Sequence, residues 1–258
     1  MIKGVMKRIR FIRIELVQNI LSPFWGIGIL LVAFTLCLTL SVCGNYRPCA
    51  VYEYTYMQSK ALFYTSFLAA SFSSVFLFYD DIVHFNIRNM IQRMSPREYV
   101  CQKVIAVFLL TCLSYWAGSA LFITGYGILF GFTGEESKIV FSVIYSNLLD
   151  SDHIILYFTF TILHMALLVG IISAFAAVLS ILIPKLSVVF TLPITIFYLC
   201  TFYLGDRFPY LKLFIDNNLL SGGRIYHILM SYAFTAVSLF VLCMIAELLI
   251  RWRVWIHD

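Results

Sequence analysis

Apolar positions along this chain gather into long runs divided by short polar stretches, and each run matches the thickness of a hydrocarbon layer of ~30 Å. The runs cover residues 24–43, 62–79, 104–130, 154–183, 186–204 and 228–250, which predicts an all-α polytopic membrane protein with six transmembrane helices. The second run is the shortest. Residues 80–94 stand apart: Val83, Ile87, Met90, Ile91 and Met94 recur at helical spacing, while Asp81, Arg88, Asn89, Gln92 and Arg93 fill the remaining surface. That pattern predicts a short amphipathic helix, with acids at its start and arginines near its end as the helix dipole favours. Ser95-Pro96-Arg97-Glu98 then supplies a second start signal: a Ser cap, Pro in the first helical position and Glu three residues after the cap. The helix begun there runs through Lys103 into the third apolar run. A push on residues 80–94 would therefore travel into the membrane along a continuous rod. The segment reads equally as a docking site for a soluble partner or as a capped, solvated loop.

The remaining stretches fill in the expected layout. Residues 1–22 place Val5, Met6, Ile9, Ile12, Leu16, Val17 and Ile20 on one helical face, the pattern of an interfacial arm lying on membrane lipid. Ser22-Pro23 ends that arm and turns the chain into the first span. Tyr46, Tyr52, Tyr54 and Tyr56 are assigned to an aromatic belt at the lipid boundary. The second span carries Ser66, Ser71, Ser73 and Ser74. Hydroxyls of this kind serve close helix packing, and Ser66 and Ser73 are kept as candidate pathway residues. Gly127 and Gly131 form a small-xxx-small pair in the third span, and Gly170, Ser173, Ala174, Ala177 and Ser180 form a small-residue face in the fourth. His164 lies in the fourth span, where an ionisable group is a candidate pathway residue and a carbonyl-bonded neutral His is the commoner outcome. Pro193 should kink the fifth span. Residues 205–227 are too apolar for an ordinary loop and too short to span twice, so half-inserted, re-entrant helices are expected.

With 62% hydrophobic residues, 12% charged residues and a mean hydropathy of +0.92, the chain carries more apolar surface than a soluble domain could hide. Twelve of the 18 Lys and Arg residues fall on the side of the N-terminal arm, the 80–103 stretch, Lys185 and the C-terminal tail, and six fall on the other. Cytoplasmic loops keep the positive charge, so both termini are expected in the cytoplasm of a multi-pass protein of the cell membrane. The net charge of +5 follows from that asymmetry and calls for no nucleic acid. A cleaved signal peptide is not expected after a 23-residue arm. Acids collect in the loop holding Glu135, Glu136, Asp150 and Asp152. Most of the seven cysteines lie within spans as small apolar residues, and only Cys43 and Cys49 are spaced to permit a small disulfide loop on an oxidising face.

Phosphate-loop, His-Glu-x-x-His, Cys-x-x-Cys and Gly-x-Ser-x-Gly motifs are all missing, so no catalytic, cofactor-binding or metal-binding residue is expected on the chain. On these elements the whole chain resembles the membrane subunit of ABC-2 type ABC exporters. The residues carrying the resemblance are Asp80 or Asp81, where the family usually has Glu, and Ser95-Pro96-Arg97 with Lys103 at the start of the third span. The family's Gly-Thr pair after the acid is replaced by Arg88-Asn89, and its Pro-Ser/Thr order is reversed here. The resemblance implies a permease without its own ATPase site, with ATP and Mg held by a separate ABC ATPase and the permease doubled as a homodimer or heterodimer. It also implies that residues 80–94 are the coupling helix, with Asp80, Asp81, Arg88, Arg93, Ser95, Pro96 and Arg97 at the ATPase contact. Many aromatic and hydroxyl groups with almost no fixed charge in the spans suit an amphipathic cargo, and compact permeases of this family include exporters of phenol-soluble modulins and antimicrobial peptides. Drugs, lipids and polysaccharides are the alternative cargoes. A secondary transporter or a small membrane enzyme are the alternative classes, and the enzyme would need paired polar groups inside the bundle.

Overall fold

The computed structural model describes residues 17, 18, 20–44, 49–58, 60–72, 74, 95–134, 145–151, 153–185 and 224–257, with seven further positions between 187 and 198. All regular structure among the described residues is helical. In chain order the elements are α1 (Pro23–Cys43), α2 (Ala50–Gln58), a 3-10 turn (Ala61–Tyr64), α3 (Thr65–Ser71), α4 (Pro96–Phe130), α5 (Ser146–Asp150), α6 (Ile154–Leu182) and α7 (Arg224–His257). Four of them, α1, α4, α6 and α7, are long and apolar enough to cross a membrane. They coincide with the first, third, fourth and sixth expected spans. Of the second expected span, residues through 74 are described apart from Ser73, as the 3-10 turn and α3. The described positions between 187 and 198 are helical, whereas Pro193 lies outside the described residues.

Pro23 opens α1 behind an extended Ser22, as the sequence predicts, although the Ser22 side chain makes no capping bond. At 35 residues α4 is ~52 Å long, so it exceeds the hydrocarbon layer by about 20 Å. α4 and α6 form the centre of the bundle, with 61% and 72% of their most apolar windows buried. α1 and α7 flank them and leave broad apolar faces bare, including Leu30, Phe34, Val237, Phe240 and Leu248.

Small residues set these packing distances. A Cβ on Gly118 would stand 2.6 Å from the Val32 Cβ, and one on Gly170 would stand 2.6 Å from the Cys112 Sγ. α4 thus meets α1 and α6 at close range where glycine allows it. The small-residue face of the fourth span is therefore used within the chain: Gly170, Ser173, Ala174, Ala177 and Ser180 are all buried. Gly170 packs against Phe108 and Cys112 of α4, and Ser173 meets Ser71 of α3.

Several expectations are corrected at the other end of α4. Gly131 is not part of a helix face; its φ of 95° ends α4 as a cap. The turn folds the Phe132 ring onto Gly127, where a Cβ would collide with the ring. Gly131 and Phe132 carbonyls accept the first N–H groups of α2, from Ala50 at 3.0 Å and Val51 at 3.2 Å. This satisfies donors that a helix start leaves unpaired. The expected aromatic belt is thus partly a docked helix: Tyr54 is a core residue at 1% exposure, and burial pushes its hydroxyl up to about 12, while Tyr52 and Tyr56 stack at 6.1 Å on the outer side. Cys43 and Cys49 are free thiols, and the Cys49 sulfur faces the Phe132 carbonyl at 3.5 Å. The helix that holds the last expected span, α7, begins at Arg224 and continues to His257, and its candidate membrane-crossing part is Tyr226–Arg253.

Candidate functional site

α4 begins, and α6 and α7 end, at one end of the bundle, and the charged side chains there tie the three helices together. Ser95 is extended (φ −64°, ψ 146°), Pro96 takes the first helical position, and the Ser95 hydroxyl accepts the Glu98 N–H at 3.3 Å. This is the cap read from the sequence. One turn in, Arg97 Nε lies 3.9 Å from Glu247 Oε2 of α7, and Glu247 Oε1 accepts from Arg251 at 2.6 Å. The carboxylate is shielded, at 11% side-chain exposure, and its two guanidinium partners are open, at 66% and 62%. Arg253 donates to the Ile181 carbonyl at 2.6 Å, capping the last turn of α6. The Lys103 ammonium sits 6.0 Å from the centre of the Tyr99 ring, and Lys103 is buried.

From this charge cluster a groove of about 280 Å3 runs between α4 and α7, lined by Arg97, Cys101, Ile105, Leu239, Met244 and Glu247 together with Phe240 and Cys243. Cys101 and Cys243 line it from α4 and α7.

The expected coupling residues Asp80, Asp81, Arg88 and Arg93 lie outside the described residues, as does Ser73. Ser95, Pro96 and Arg97 are brought together at the helix start. Ser66 is buried, and its hydroxyl donates to the Phe63 carbonyl at 2.6 Å. Ser71 and Ser173 hydroxyls meet at 2.6 Å between α3 and α6, each with a backbone carbonyl of its own helix also in reach. Ser74 pairs in the same way with Thr111 of α4. Each hydroxyl has one proton to donate, so these contacts fasten helix to helix. Ser66, Ser71, Ser74 and Ser173 are all buried within the bundle.

His164 belongs to a cluster that sequence reasoning did not assemble. It is 3% exposed in α6, with the His227 ring of α7 at 6.4 Å between centroids and the Tyr145 ring edge-on at 6.0 Å. His227 is 1% exposed. Tyr145 also stacks on Phe160 at 5.7 Å, and burial, with the Tyr232 hydroxyl nearby, pushes its own hydroxyl well above the ordinary tyrosine value. Tyr145 therefore stays a proton donor at any physiological pH. Among the described residues no group of three or more His, Cys, Asp or Glu is placed to hold a metal ion. Nothing in the spacing of His164 and His227 along the chain announces their meeting, because it depends on how far α7 is staggered along α6. The Arg97–Glu247 contact was equally hidden, whereas Glu247 and Arg251 at i,i+4 were readable.

Comparison with known protein families, with curated proteins and with solved structures finds no match to this chain.

Proposed function

We propose that this chain is the permease subunit of an ATP-driven exporter of the ABC-2 kind, moving an amphipathic substrate out of the cell with a separate ATPase subunit. The observation that carries this reading is α4: one unbroken helix of 35 residues, capped at Ser95 and tied in its first turn to α7 through Arg97, Glu247 and Arg251. A force applied to the chain just before Ser95 would move α4 and α7 together. That is the property a transport subunit needs if its energy comes from a partner bound at residues 80–94. In this reading the Arg97 end faces the cytoplasm, six spans are completed by residues 62–79 and 186–204, and two permease copies make the working unit. The bare face of α1 is then the natural contact between copies.

A second feature supports the same layout. His164 lies ~15 Å along α6 and His227 ~5 Å along α7, so their contact starts α7 about 10 Å inside the far end of α6. A re-entrant stretch before the last span implies such a start. The substrate is proposed as a membrane-active amphipathic peptide. The test is ATP hydrolysis by the reconstituted permease–ATPase pair on addition of amphipathic helical peptides, with lipids and polysaccharide precursors as controls. Stimulation by peptides alone supports the substrate assignment; stimulation by a control alone overturns it and leaves the transporter reading standing.

One observation favours a different class. Polar groups of the kind a small membrane enzyme would pair are His164 and His227, both buried, and the half-buried Tyr145 beside His164. Two imidazoles and a phenol can move protons to and from a bound substrate. Substituting His227→Gln separates the two readings: an enzyme loses turnover with no ATP dependence, and an exporter keeps ATP-dependent efflux.

A further inference from the structure

The groove between α4 and α7 has the polarity of an amphiphile laid along the membrane normal. Arg97, Cys101 and Ile105 follow one another at four-residue steps on α4, so Ile105 lies ~12 Å deeper than Arg97. α7 runs antiparallel, and Glu247, Met244, Cys243, Phe240 and Leu239 descend beside them over the same ~12 Å. The charged end is lined by the open Arg97 guanidinium and the shielded Glu247 carboxylate, and Arg251, bonded to the other Glu247 oxygen, stands just beside it, so the three groups carry a charge of +1. The deep end is purely apolar and open on its side, where Phe240 is 62% and Met244 42% exposed.

A soluble ligand would not select that arrangement, because most of the wall faces hydrocarbon. A zwitterionic lipid would gain little from the surplus positive charge. We propose that this groove is a binding site for one anionic phospholipid, whose phosphate accepts from Arg97 and Arg251 while an acyl chain lies along Ile105, Leu239, Phe240 and Met244. Guanidinium groups suit phosphate because they offer two parallel donors at once. Glu247 holds Arg97 at the mouth of the groove and Arg251 next to it. The bound lipid joins the first turns of α4 to the last turns of α7, the two helices that carry force in the proposed transport cycle. The site requires that α4 and α7 cross the membrane and is independent of whether an ATPase drives the chain.

The test uses the full chain purified in a mild detergent, with retained lipid measured by native mass spectrometry against phosphatidylglycerol and phosphatidylcholine of the same acyl chains. One phosphatidylglycerol per chain should bind in preference to phosphatidylcholine. Because a basic side chain near a bilayer surface is worth about a fivefold affinity for anionic lipid, Arg97→Gln with Arg251→Gln should lower the preference by about 25-fold. Adding Glu247→Gln to that pair removes the carboxylate left without its partners, and should not restore binding if the arginines hold the phosphate. Met244→Trp, which fills the groove and keeps every charge, should displace the lipid without altering the fold. Equal retention of the two lipids, or an unchanged preference in both the arginine and Met244→Trp variants, would overturn the proposal. So would a dimer whose interface buries Met244, since a second copy would then be the occupant.

Discussion

The close approach of α4 and α6 at Gly170 can be tested with a single methyl group. In Gly170→Ala the new Cβ would stand 2.6 Å from both Cys112 Sγ and Phe108 Cδ2 and 2.8 Å from Phe108 Cε2. All three are below any ordinary contact distance. Phe108 and Cys112 are themselves buried, at 7% and 8% exposure, so neither can swing aside and the helices must part. Overpacking of this kind costs about 1–3 kcal/mol. Removing a helical glycine returns roughly 0.5–1 kcal/mol, which must be subtracted. Gly125→Ala provides the reference, because it makes the same change on α4 with nothing within 4 Å of the new methyl. The comparison cancels the backbone effect and isolates the contact. Gly170→Ala should therefore be less stable than Gly125→Ala by about 1–3 kcal/mol, measured as thermal unfolding in one detergent. A second variant, Gly170→Ala with Cys112→Ala, should recover part of the loss by removing Sγ. If the Gly170 and Gly125 variants unfold together, the α4–α6 interface is looser than described and the core assignment of the small-residue face fails.

Further predictions follow from the two ends of the bundle. Gly131→Ala places a side chain on a backbone of φ 95° and ψ 149°, which only glycine adopts readily, and should cost about 1–3 kcal/mol with faster amide exchange at Ala50 and Val51. Ser95→Ala removes the cap of α4 and should cost about 0.5–2 kcal/mol in thermal unfolding, whereas Ser95→Asp should retain the cap. Glu247→Gln weakens ion pairs between a shielded carboxylate and two open guanidiniums, which should cost about 1 kcal/mol, and a loss of coupling much larger than that loss of stability would locate its role in joining α4 to α7.

Much of this architecture could be read from the chain because its signals are local. Pro23, the Ser95-Pro96-Arg97-Glu98 start and the apolar runs of α1, α4 and α6 each depend on neighbours a few residues away. α2 was also legible, since Ala50, Val51, Tyr54 and Met57 recur at helical spacing, and the density of tyrosine there suggested a lipid boundary instead. Gly131 misled for a related reason: a glycine four residues after another looks the same whether it packs a helix face or ends the helix. Contacts between helices left no such trace. His164 meets His227 through the stagger of α7 along α6, and Arg97 meets Glu247 through the antiparallel course of α4 and α7. The burial of the Gly170 face inside the chain was hidden in the same way.

The proposed function turns on whether an ATPase binds at the segment before Ser95. The most direct measurement is to solubilise the tagged full-length chain gently from its native membrane, identify by mass spectrometry what is recovered with it, and assay ATP hydrolysis. The same experiment is run in parallel on a variant carrying Arg88→Glu and Arg93→Glu. The proposal predicts a stoichiometric partner bearing a Gly-x-x-x-x-Gly-Lys-Ser/Thr phosphate loop, with ATP hydrolysis in the wild-type sample, and predicts that the charge-reversed variant inserts normally but loses both. Recovery of the chain with lipid alone and no nucleotide-hydrolysing subunit, or an ATPase held equally well by the charge-reversed variant, would contradict it.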